Sequence, residues 1–466
     1  MDKIQIHPLP RTEVTIMKPN AFNPWIKHYN LGSVRLSQTM HPYPKVPVFH
    51  FLDEVAVHHP SKTACCYMKR KITFRQLKLY VDKLANALID LGIQKGHRVV
   101  TCLPTSPQFI ITDHAIQKAG AIHVPCSFRN RSHEFIHEID GIGAEIIFCL
   151  DTHAEFIKSI ISQTKINTVI VTSLTDFSAY EPEMIEISGA LQLRDLISLA
   201  GSDPPRVGID PLEDPALIVF TQRGAGKPRG AMLTHYNLTS NTLQSLPWIL
   251  DSMGKGIKRK SSMLIATPIY QLHGHCAIRT AIYWGLKMLL VSDPNDTNTI
   301  LKMLKEHRPF IAHLDTTQYL QLVKQKIGRM NTIFTCGGSP LPPEVSMKFK
   351  QLTGMPITQT YGYDETTPIT HVNFSGLSKI RGGIPFEKPG SIGIPVVDTE
   401  VKLIDTASGR KVEHGGVGEL YIRGPQVMKG YWPKAGDGLA DDWLPTGDLC
   451  RMDDDGYFFL MDQKRK

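Results

Sequence analysis

The chain has 466 residues, of which 42% are apolar and 21% are charged, and its formal net charge is +8. This length predicts two or three cores that share an interface, and the composition excludes extended disorder. Because the Lys and Arg residues are scattered and their excess is small, the charge favours small polyanions such as nucleotides only weakly. No nucleic-acid partner is expected.

The eight cysteines form no CxxC pair and mostly lie within apolar runs, which predicts reduced, buried thiols. His273, His275 and Cys276 form the one cluster with ligand-type side chains. No second pair at finger-like spacing completes a tetrahedral shell, so packing or pocket lining is favoured over a metal site. Neither an apolar run of about 18 residues nor a hydrophobic signal core is present. We expect a cytoplasmic protein whose contact with membranes is at most peripheral.

The first third of the chain predicts an extended arm followed by alternating strands and helices. Residues 1–50 are rich in Pro, His and Asn and show little periodicity. Thr73 and Gln76 form a capping box that starts a helix, which Gly92 ends. The pattern then predicts these elements in turn: a strand at 98–103, a helix at 107–118, a strand at 121–125, a helix from Ser132 and a strand at 145–150.

The same alternation continues to about residue 360 and then changes. Strands are predicted at 216–221, 263–267, 287–291, 310–314, 332–336 and 356–359. This pattern predicts an α/β protein with two helix-flanked, largely parallel β-sheets. Beyond Ser391, short alternating strands at 400–404 and 418–423 and a hairpin at Asp455-Gly456 predict a small β-barrel subdomain.

These patterns predict three regions in the chain. Residues 1–50 form the arm, residues 51–389 the α/β region with its two sheets, and residues 390–466 the β-barrel subdomain.

A loop rich in glycine follows the strand at 216–221. It reads Thr-Gln-Arg-Gly-Ala-Gly-Lys-Pro-Arg-Gly at 221–230, and small residues let a backbone fold around phosphate oxygens while Lys227 and Arg229 add positive charge. Pro228 stands where a Walker loop needs its magnesium-binding hydroxyl, so the loop is not of that type. A surface turn is the alternative that this segment alone leaves open.

Six further segments, taken together with this loop, form a recognisable order of motifs. They are Met-Leu-Thr-His at 232–235, Cys-Gly-Gly-Ser-Pro-Leu at 336–341, Gln-Thr-Tyr-Gly-Tyr-Asp-Glu at 359–365, Gly-Ser-Ile-Gly at 390–393, Gly-Glu-Leu-Tyr-Ile-Arg-Gly at 418–424 and Trp-Leu-Pro-Thr-Gly-Asp-Leu at 443–449. In this order and spacing they resemble the adenylate-forming superfamily of acyl-CoA synthetases, luciferases and peptide-synthetase adenylation domains. Pro24-Trp25 with His28-Tyr29 further resembles the arm of long- and medium-chain fatty acyl-CoA synthetases. The resemblance covers about residue 50 to the end and implies that the chain stops at the hinge, before the family's C-terminal domain.

The resemblance implies a site for ATP or AMP and for Mg²⁺, with CoA as co-substrate. Tyr361 would stack on adenine and Asp448 would bind the ribose hydroxyls. Glu365 and Thr221 would hold the metal ion, while Lys227 and Arg229, with Glu365, would act in catalysis. The implied nucleotide-binding residues are Thr221, Gly224, Gly226, Gly337, Gly338, Ser339, Tyr361, Gly362, Asp364 and Asp448.

The segment that starts at Thr267 resembles the family stretch lining the acid pocket, which makes Tyr270, Gln271 and His273 candidates for substrate binding. The family usually has a histidine at the position of Gln271. His273 lies two residues further on, so it either rebuilds this gate or packs in the wall.

Several departures from the family pattern bear on activity. Gln222 and Arg223 replace the usual Ser and Gly of the phosphate loop, and Gln463 stands where the family has a ribose-binding arginine. Asp364 replaces a threonine that bonds the α-phosphate. A carboxylate about 5 Å from a phosphate charge would be repelled by roughly 3 kcal/mol at an effective dielectric near 20, unless magnesium lies between them.

These features predict an acid-activating ligase of the acyl-CoA synthetase type whose acid is a fatty acid. It would convert acid and ATP to acyl-AMP and then to a thioester with CoA. The alternative is a non-catalytic relative that binds nucleotides or acyl groups, which the altered loop and Asp364 favour.

Overall fold

The computed structural model of the protein describes residues 24–29, 35–128, 133–181, 185–221, 228–251, 261–373, 388–412 and 415–463. The α-helices in these residues are α1 (His50–His58), α2 (Phe74–Asp90), α3 (Pro107–Lys118), α4 (His133–Gly141), α5 (Ala154–Ile160), α6 (Leu193–Leu199), α7 (His235–Gln244), α8 (Leu246–Asp251), α9 (Leu272–Tyr283), α10 (Thr297–His307), α11 (Thr316–Leu322) and α12 (Pro343–Thr353).

The strands up to residue 265 are β1 (Thr63–Tyr67), β2 (Arg70–Thr73), β3 (Arg98–Cys102), β4 (Ile122–Pro125), β5 (Ile146–Leu150), β6 (Thr168–Thr172), β7 (Leu191–Gln192), β8 (Pro215–Thr221), β9 (Arg229–Thr234) and β10 (Ser262–Ile265). Those that follow are β11 (Lys287–Leu290), β12 (Ile311–Leu314), β13 (Ile333–Cys336), β14 (Ile357–Tyr361), β15 (His371–Asn373), β16 (Ser391–Pro395), β17 (Glu400–Ile404), β18 (Val417–Arg423), β19 (Gly430–Tyr431), β20 (Leu444–Met452) and β21 (Phe458–Gln463).

The first sheet contains eight strands in the order β19-β9-β8-β4-β3-β5-β6-β7. The strands from β8 to β7 run parallel to their neighbours. By contrast, β9 pairs antiparallel with β8, and β19 pairs antiparallel with β9. The connection between β8 and β9 is therefore the segment that contains the predicted phosphate loop.

The second sheet contains thirteen strands in the order β17-β18-β20-β21-β16-β15-β14-β13-β12-β10-β11-β1-β2. The strands from β14 to β1 are parallel, and the prediction of two largely parallel, helix-flanked sheets is confirmed. The short strands predicted beyond residue 390 are present, and they extend this sheet through β15 and β16. Their closure into a barrel and the predicted region boundaries stay predictions.

Local sequence signals explain several of the element boundaries. Thr73 accepts a hydrogen bond from the backbone N–H of Gln76, and the Gln76 side chain bonds back to Thr73, so the predicted capping box starts α2. Ser106 caps α3, which has Pro107 at its first position. The antiparallel pair β1 and β2 was not predicted, because residues 63–73 have no clear alternation of apolar and polar side chains.

Residues 24–29 of the arm pack on the antiparallel end of the second sheet. Trp25 and Phe458 make an edge-to-face contact with ring centroids 6.0 Å apart. The Tyr29 hydroxyl donates a 3.0 Å hydrogen bond to the Pro395 carbonyl oxygen, and Lys27 forms a 2.7 Å ion pair with Asp455. These contacts fasten residues 24–29 to strands β16 and β21 and to the turn before β21.

A buried polar network lies where α3 and β4 meet α9. Asp113 Oδ1 accepts 2.7 Å hydrogen bonds from Gln117 Nε2 and His123 Nδ1, and His275 Nε2 lies 3.2 Å from the same oxygen. The carboxylate and the two imidazoles lie within 4.8 Å of one another. Gln117 and His123 both donate to this carboxylate, so Asp113 is the centre of a buried hydrogen-bonded network.

The network sets the ionisation of Asp113. Burial raises the pKa of Asp113, but its electrostatic interaction with His275 and hydrogen bonds from His114, His123 and His275 outweigh burial and hold this pKa well below its ordinary value. The ionised carboxylate therefore stabilises the junction between the two halves of the protein.

Asp113→Asn is expected to lower the free energy of unfolding by roughly 2–3 kcal/mol at pH 7, because the charged acceptor of a buried network is lost. A depressed pKa stabilises the fold above the pKa of the unfolded chain, and this contribution is lost as pH falls through the folded pKa. The difference between the two proteins should therefore shrink below about pH 4. Urea unfolding at several pH values measures it, with the exposed Asp90→Asn as control. Equal stabilities at pH 7 would contradict the role given to Asp113.

Among the residues that the structure describes, no helix combines the length and the apolar character needed to cross a bilayer.

Candidate active site

A large cleft opens where strands of both sheets reach their carboxyl ends. Pro125 at the end of β4, Thr221 at the end of β8, Asp315 after β12 and Gly337 after β13 all line it. The cleft encloses about 2020 Å³, counted out to its open mouth. Ligands of α/β proteins usually bind outside the carboxyl ends of parallel strands, so this cleft is the first candidate for an active site.

The cleft brings together most of the residues predicted from the sequence. Those that line it are Thr221, Tyr270, Gln271, His273, Gly337, Gly338, Ser339, Gly362 and Asp364. They come from four separate stretches of the chain, so their convergence depends on the fold. Lys227, Gly224 and Gly226 lie outside the described residues.

Arg229 is held beside the connection between β8 and β9. It begins β9 and lies opposite Thr221 in the strand ladder. Its guanidinium forms an ion pair with Asp437, and its Cζ lies 3.7 Å from the centroid of the Tyr431 ring. These contacts orient a half-exposed cation at the place where the predicted phosphate loop begins and ends.

Glu365 is buried beside the hydroxyl group of the same tyrosine, Tyr431. Its Oε1 accepts a 2.6 Å hydrogen bond from the Tyr431 hydroxyl, and its backbone carbonyl accepts one of 2.8 Å from the Met428 N–H. A buried carboxylate requires such donors, because water no longer solvates it. Tyr431 thus joins two of the three predicted catalytic residues, with Arg229 over its ring and Glu365 at its hydroxyl.

His273 fills the space that Gly337 leaves by lacking a side chain. A Cβ at position 337 would lie 2.3 Å from His273 Cδ2 and 2.4 Å from Thr360 Oγ1. Gly338 adopts a φ of +88°, a left-handed conformation that other residues rarely take. The missing side chain at Gly337 thus leaves room for the His273 imidazole. The left-handed backbone of Gly338 allows the turn that follows β13.

An apolar cavity of about 510 Å³ lies behind His273, counted to its mouth. Its lining includes Leu246 and Ile249 of α8, Ala277 of α9 and Met263 of the parallel strand β10. Ile369, Val372 and Val396, in and beside the antiparallel strands β15 and β16, complete its apolar part. His273 lines both this cavity and the cleft. His273 is therefore the shared wall between them.

The two histidines in this cavity are uncharged at neutral pH. Burial, followed by the neighbouring His313, lowers the pKa of His273 to about 3. Burial alone lowers the pKa of His313 to about 4. The cavity therefore presents no positive charge from either imidazole, which suits an apolar occupant.

Tyr361 lines a second cavity that shares Gly338, Ser339 and Gly362 with the cleft. This cavity encloses about 1410 Å³, counted to its mouth. Burial, followed by the neighbouring Tyr363, raises the pKa of Tyr361 well above its ordinary value, so its hydroxyl remains a hydrogen-bond donor. A flat ring and the backbone of the glycine turn thus face a common space.

Asp448 is buried next to Tyr361. Its Oδ2 accepts a 2.9 Å hydrogen bond from the Tyr361 hydroxyl and another from the Tyr363 hydroxyl, and these hydroxyls lie 3.0 Å apart. The structure thus brings the predicted stacking and ribose-binding residues into direct contact.

Three residues of this arrangement were not singled out in the sequence. Tyr363 lies inside the segment 359–365, between residues that match the family motif, and the sequence indicated no role of its own for it. Tyr431 and Asp437 belong to a stretch with no chemical pattern of its own. Only the pairing of β19 with β9 brings this stretch to Arg229, and a local pattern does not indicate that pairing.

Comparison with known proteins identifies the family to which the chain belongs. A family model described as AMP-binding enzyme matches residues 52–432. A long-chain-fatty-acid–CoA ligase of Bacillus subtilis (strain 168) is 30% identical over 91% of this chain and 78% of its own length. The chain belongs to the AMP-binding enzyme family.

Solved structures support the same fold for the family member described here. A long-chain-fatty-acid–CoA ligase from Archaeoglobus fulgidus has a TM-score of 0.78 and 22% identity, over 91% of this chain and 86% of that one. ATP-bound MatB from Rhodopseudomonas palustris has a TM-score of 0.76 and 23% identity, over 90% and 79%. The family match and the Bacillus subtilis relative show that the chain is an ATP-dependent ligase of the acyl-CoA synthetase type.

Gly337→Ala is expected to lower the free energy of unfolding by roughly 1–3 kcal/mol, because the new methyl group overlaps His273 and Thr360. Gly141→Ala is the matched control, since a Cβ there meets no heavy atom within 4 Å. Removing the imidazole as well, in the double variant with His273→Ala, should recover part of the loss. Chemical denaturation measures all four proteins. A Gly337→Ala protein as stable as the Gly141→Ala protein would contradict the packing described.

Asp364→Thr is expected to tighten ATP binding roughly tenfold without magnesium, because a carboxylate that lines the cleft repels phosphate charge. The gain should shrink as salt is raised. Calorimetric titration measures it, and Asp364→Asn separates removal of the charge from gain of a hydroxyl. Weaker binding of magnesium-ATP by the threonine variant would instead show that Asp364 is a metal ligand. Unchanged affinity in both conditions would place Asp364 away from the phosphates.

Proposed function

We propose that this protein activates a fatty acid. The acid's carboxylate attacks the α-phosphorus of ATP, the bond to the β-phosphate oxygen breaks, and pyrophosphate leaves. The thiol of CoA then attacks the acyl carbonyl, releasing AMP and forming the thioester. The relatives named as long-chain-fatty-acid–CoA ligases support the choice of acid and of CoA.

The observation that carries this proposal is the shared wall at His273. An apolar cavity and a polar cleft meet there, and the cleft is lined by six of the residues expected to bind the nucleotide, namely Thr221, Gly337, Gly338, Ser339, Gly362 and Asp364. An acid whose chain lies in the cavity would direct its carboxylate past His273 toward the phosphates. Bringing the reacting atoms together in this way is the main contribution of such an enzyme, since no covalent intermediate with the protein is needed.

Six of the predicted residues have a task in this scheme. Lys227 and Arg229 would neutralise charge that builds up on the phosphates, while Tyr361 and Asp448 would hold the nucleoside. The carboxylate of Glu365 and the hydroxyl of Thr221 are hard oxygen donors of the kind that fits Mg²⁺, which takes its remaining ligands from phosphate and water. When bound, the ion would supply further neutralisation of the phosphate charge.

Glu365→Gln tests the nucleotide half of the proposal. Pyrophosphate exchange into ATP in the presence of a fatty acid should fall at least a hundredfold, since a carboxylate assigned to the metal is lost. Glu344→Gln, on the exposed face of α12, is the control and should keep the wild-type rate. A Glu365→Gln protein with wild-type exchange would refute the role of Glu365. Absence of exchange in the wild type with every fatty acid tried would refute the proposed function.

The variant Ala277→Leu tests whether the chain of the acid binds in the apolar cavity. Ala277 is buried in α9 and lines the apolar cavity, so a larger side chain there should shorten the space for the acid. Exchange with long fatty acids should fall about tenfold or more, while exchange with short ones should change little. Ala407→Leu is the exposed control. An equal loss for acids of every length would mean that the chain does not lie in this cavity.

A further inference from the structure

The ribose-binding candidate Asp448 is already engaged by two tyrosines. The hydroxyls of Tyr361 and Tyr363 both donate to the same carboxylate oxygen, Oδ2. Asp448 is only 1% exposed, so solvent does not compete for that oxygen. The two tyrosines also lie edge to face with centroids 5.5 Å apart, which fixes both hydroxyls near the carboxylate.

The number of lone pairs limits what Oδ2 can still accept. A carboxylate oxygen offers about two lone-pair sites, and the two tyrosine hydroxyls use both. A ribose whose two hydroxyls each took one carboxylate oxygen would have to displace a tyrosine. Neither tyrosine donates a hydrogen bond to Oδ1. Oδ1 can therefore accept a hydrogen bond from one ribose hydroxyl.

The backbone around Asp448 does not offer an easy alternative position. Asp448 lies in β20 and pairs with Gln463 of β21, and its N–H donates a 3.2 Å hydrogen bond to Thr446 Oγ1. Because the strand ladder and this bond hold the main chain, the carboxylate cannot move away from the tyrosines without a change of rotamer.

We infer that Tyr363 sets how this enzyme reads the sugar of its nucleotide, because its hydroxyl occupies Oδ2 and leaves Asp448 one oxygen for a single ribose hydroxyl. This inference rests on the proposed function, in which ATP binds in the cleft. It makes Tyr363 a specificity-determining residue. It also means that one of the two monodeoxy forms of ATP, lacking either the 2′- or the 3′-hydroxyl, binds almost as well as ATP.

The test compares four nucleotides: ATP, 2′-deoxyATP, 3′-deoxyATP and 2′,3′-dideoxyATP. Calorimetric titration with magnesium gives each dissociation constant for the wild type and for Tyr363→Phe, which removes only the hydroxyl. Tyr67→Phe is the matched control, because it also removes a hydroxyl that donates to a neighbour, here the Leu174 carbonyl oxygen, away from the cleft.

In the wild type, one monodeoxy nucleotide should bind within about twofold of ATP, and the other roughly tenfold more weakly, as expected for the loss of one hydrogen bond to a charged group. In Tyr363→Phe, Oδ2 regains an accepting site, so both monodeoxy nucleotides should become roughly tenfold weaker than ATP. Tyr67→Phe should reproduce the wild-type pattern.

The opposite results separate this inference from the proposed function. If ATP binds but the wild type rejects both monodeoxy nucleotides equally, or if Tyr363→Phe leaves the pattern unchanged, the inference fails and the nucleotide site stands. If none of the four nucleotides binds to the wild type, the nucleotide site itself fails, and with it both the proposed function and the inference.

Discussion

Buried carboxylates need hydrogen-bond donors, and tyrosine hydroxyls meet this need at two places in this protein. Tyr431 serves Glu365, while Tyr361 and Tyr363 serve Asp448. A carboxylate without partners in such places would lose stability or take up a proton. Tyrosine supplies the donor while its ring packs against apolar neighbours, so the two carboxylates have hydrogen-bond partners without exposing the core to water.

His273 lies at the boundary between the polar cleft and the apolar cavity. Its ring fits against Gly337, and burial keeps it uncharged, so it can line an apolar cavity on one side and a polar cleft on the other. The family position usually filled by histidine is Gln271 here, an exposed residue at the start of α9. His273, two residues further on, lies in the wall between the apolar cavity and the cleft. A gating role for its imidazole stays a prediction.

The sequence predicted the parts whose signals are local. The capping box at Thr73, the helix beginning at Pro107 and the alternation of strands and helices were visible as short patterns, and the structure confirms them. What could not be predicted depends on long-range pairing. The joining of the short antiparallel strands to the second sheet and the position of Tyr431 result from ladders between distant segments, and no periodicity encodes such ladders. For the site, recognised motifs indicated Asp448 and Tyr361 separately, but their contact and the hydrogen bond from Tyr363 to Asp448 depend on the tertiary fold.

The short strand β19 links the two halves of the protein through one side chain. Its backbone pairs with β9 of the first sheet, while the Tyr431 hydroxyl reaches Glu365, which follows β14 of the second sheet. Arg229, on β9, lies over the same ring. A substitution at any one of these positions alters the environment of the other two. Among related sequences, the residues at 229, 365 and 431 should therefore change together or not at all, and this covariation would record a constraint that none of the three positions shows alone.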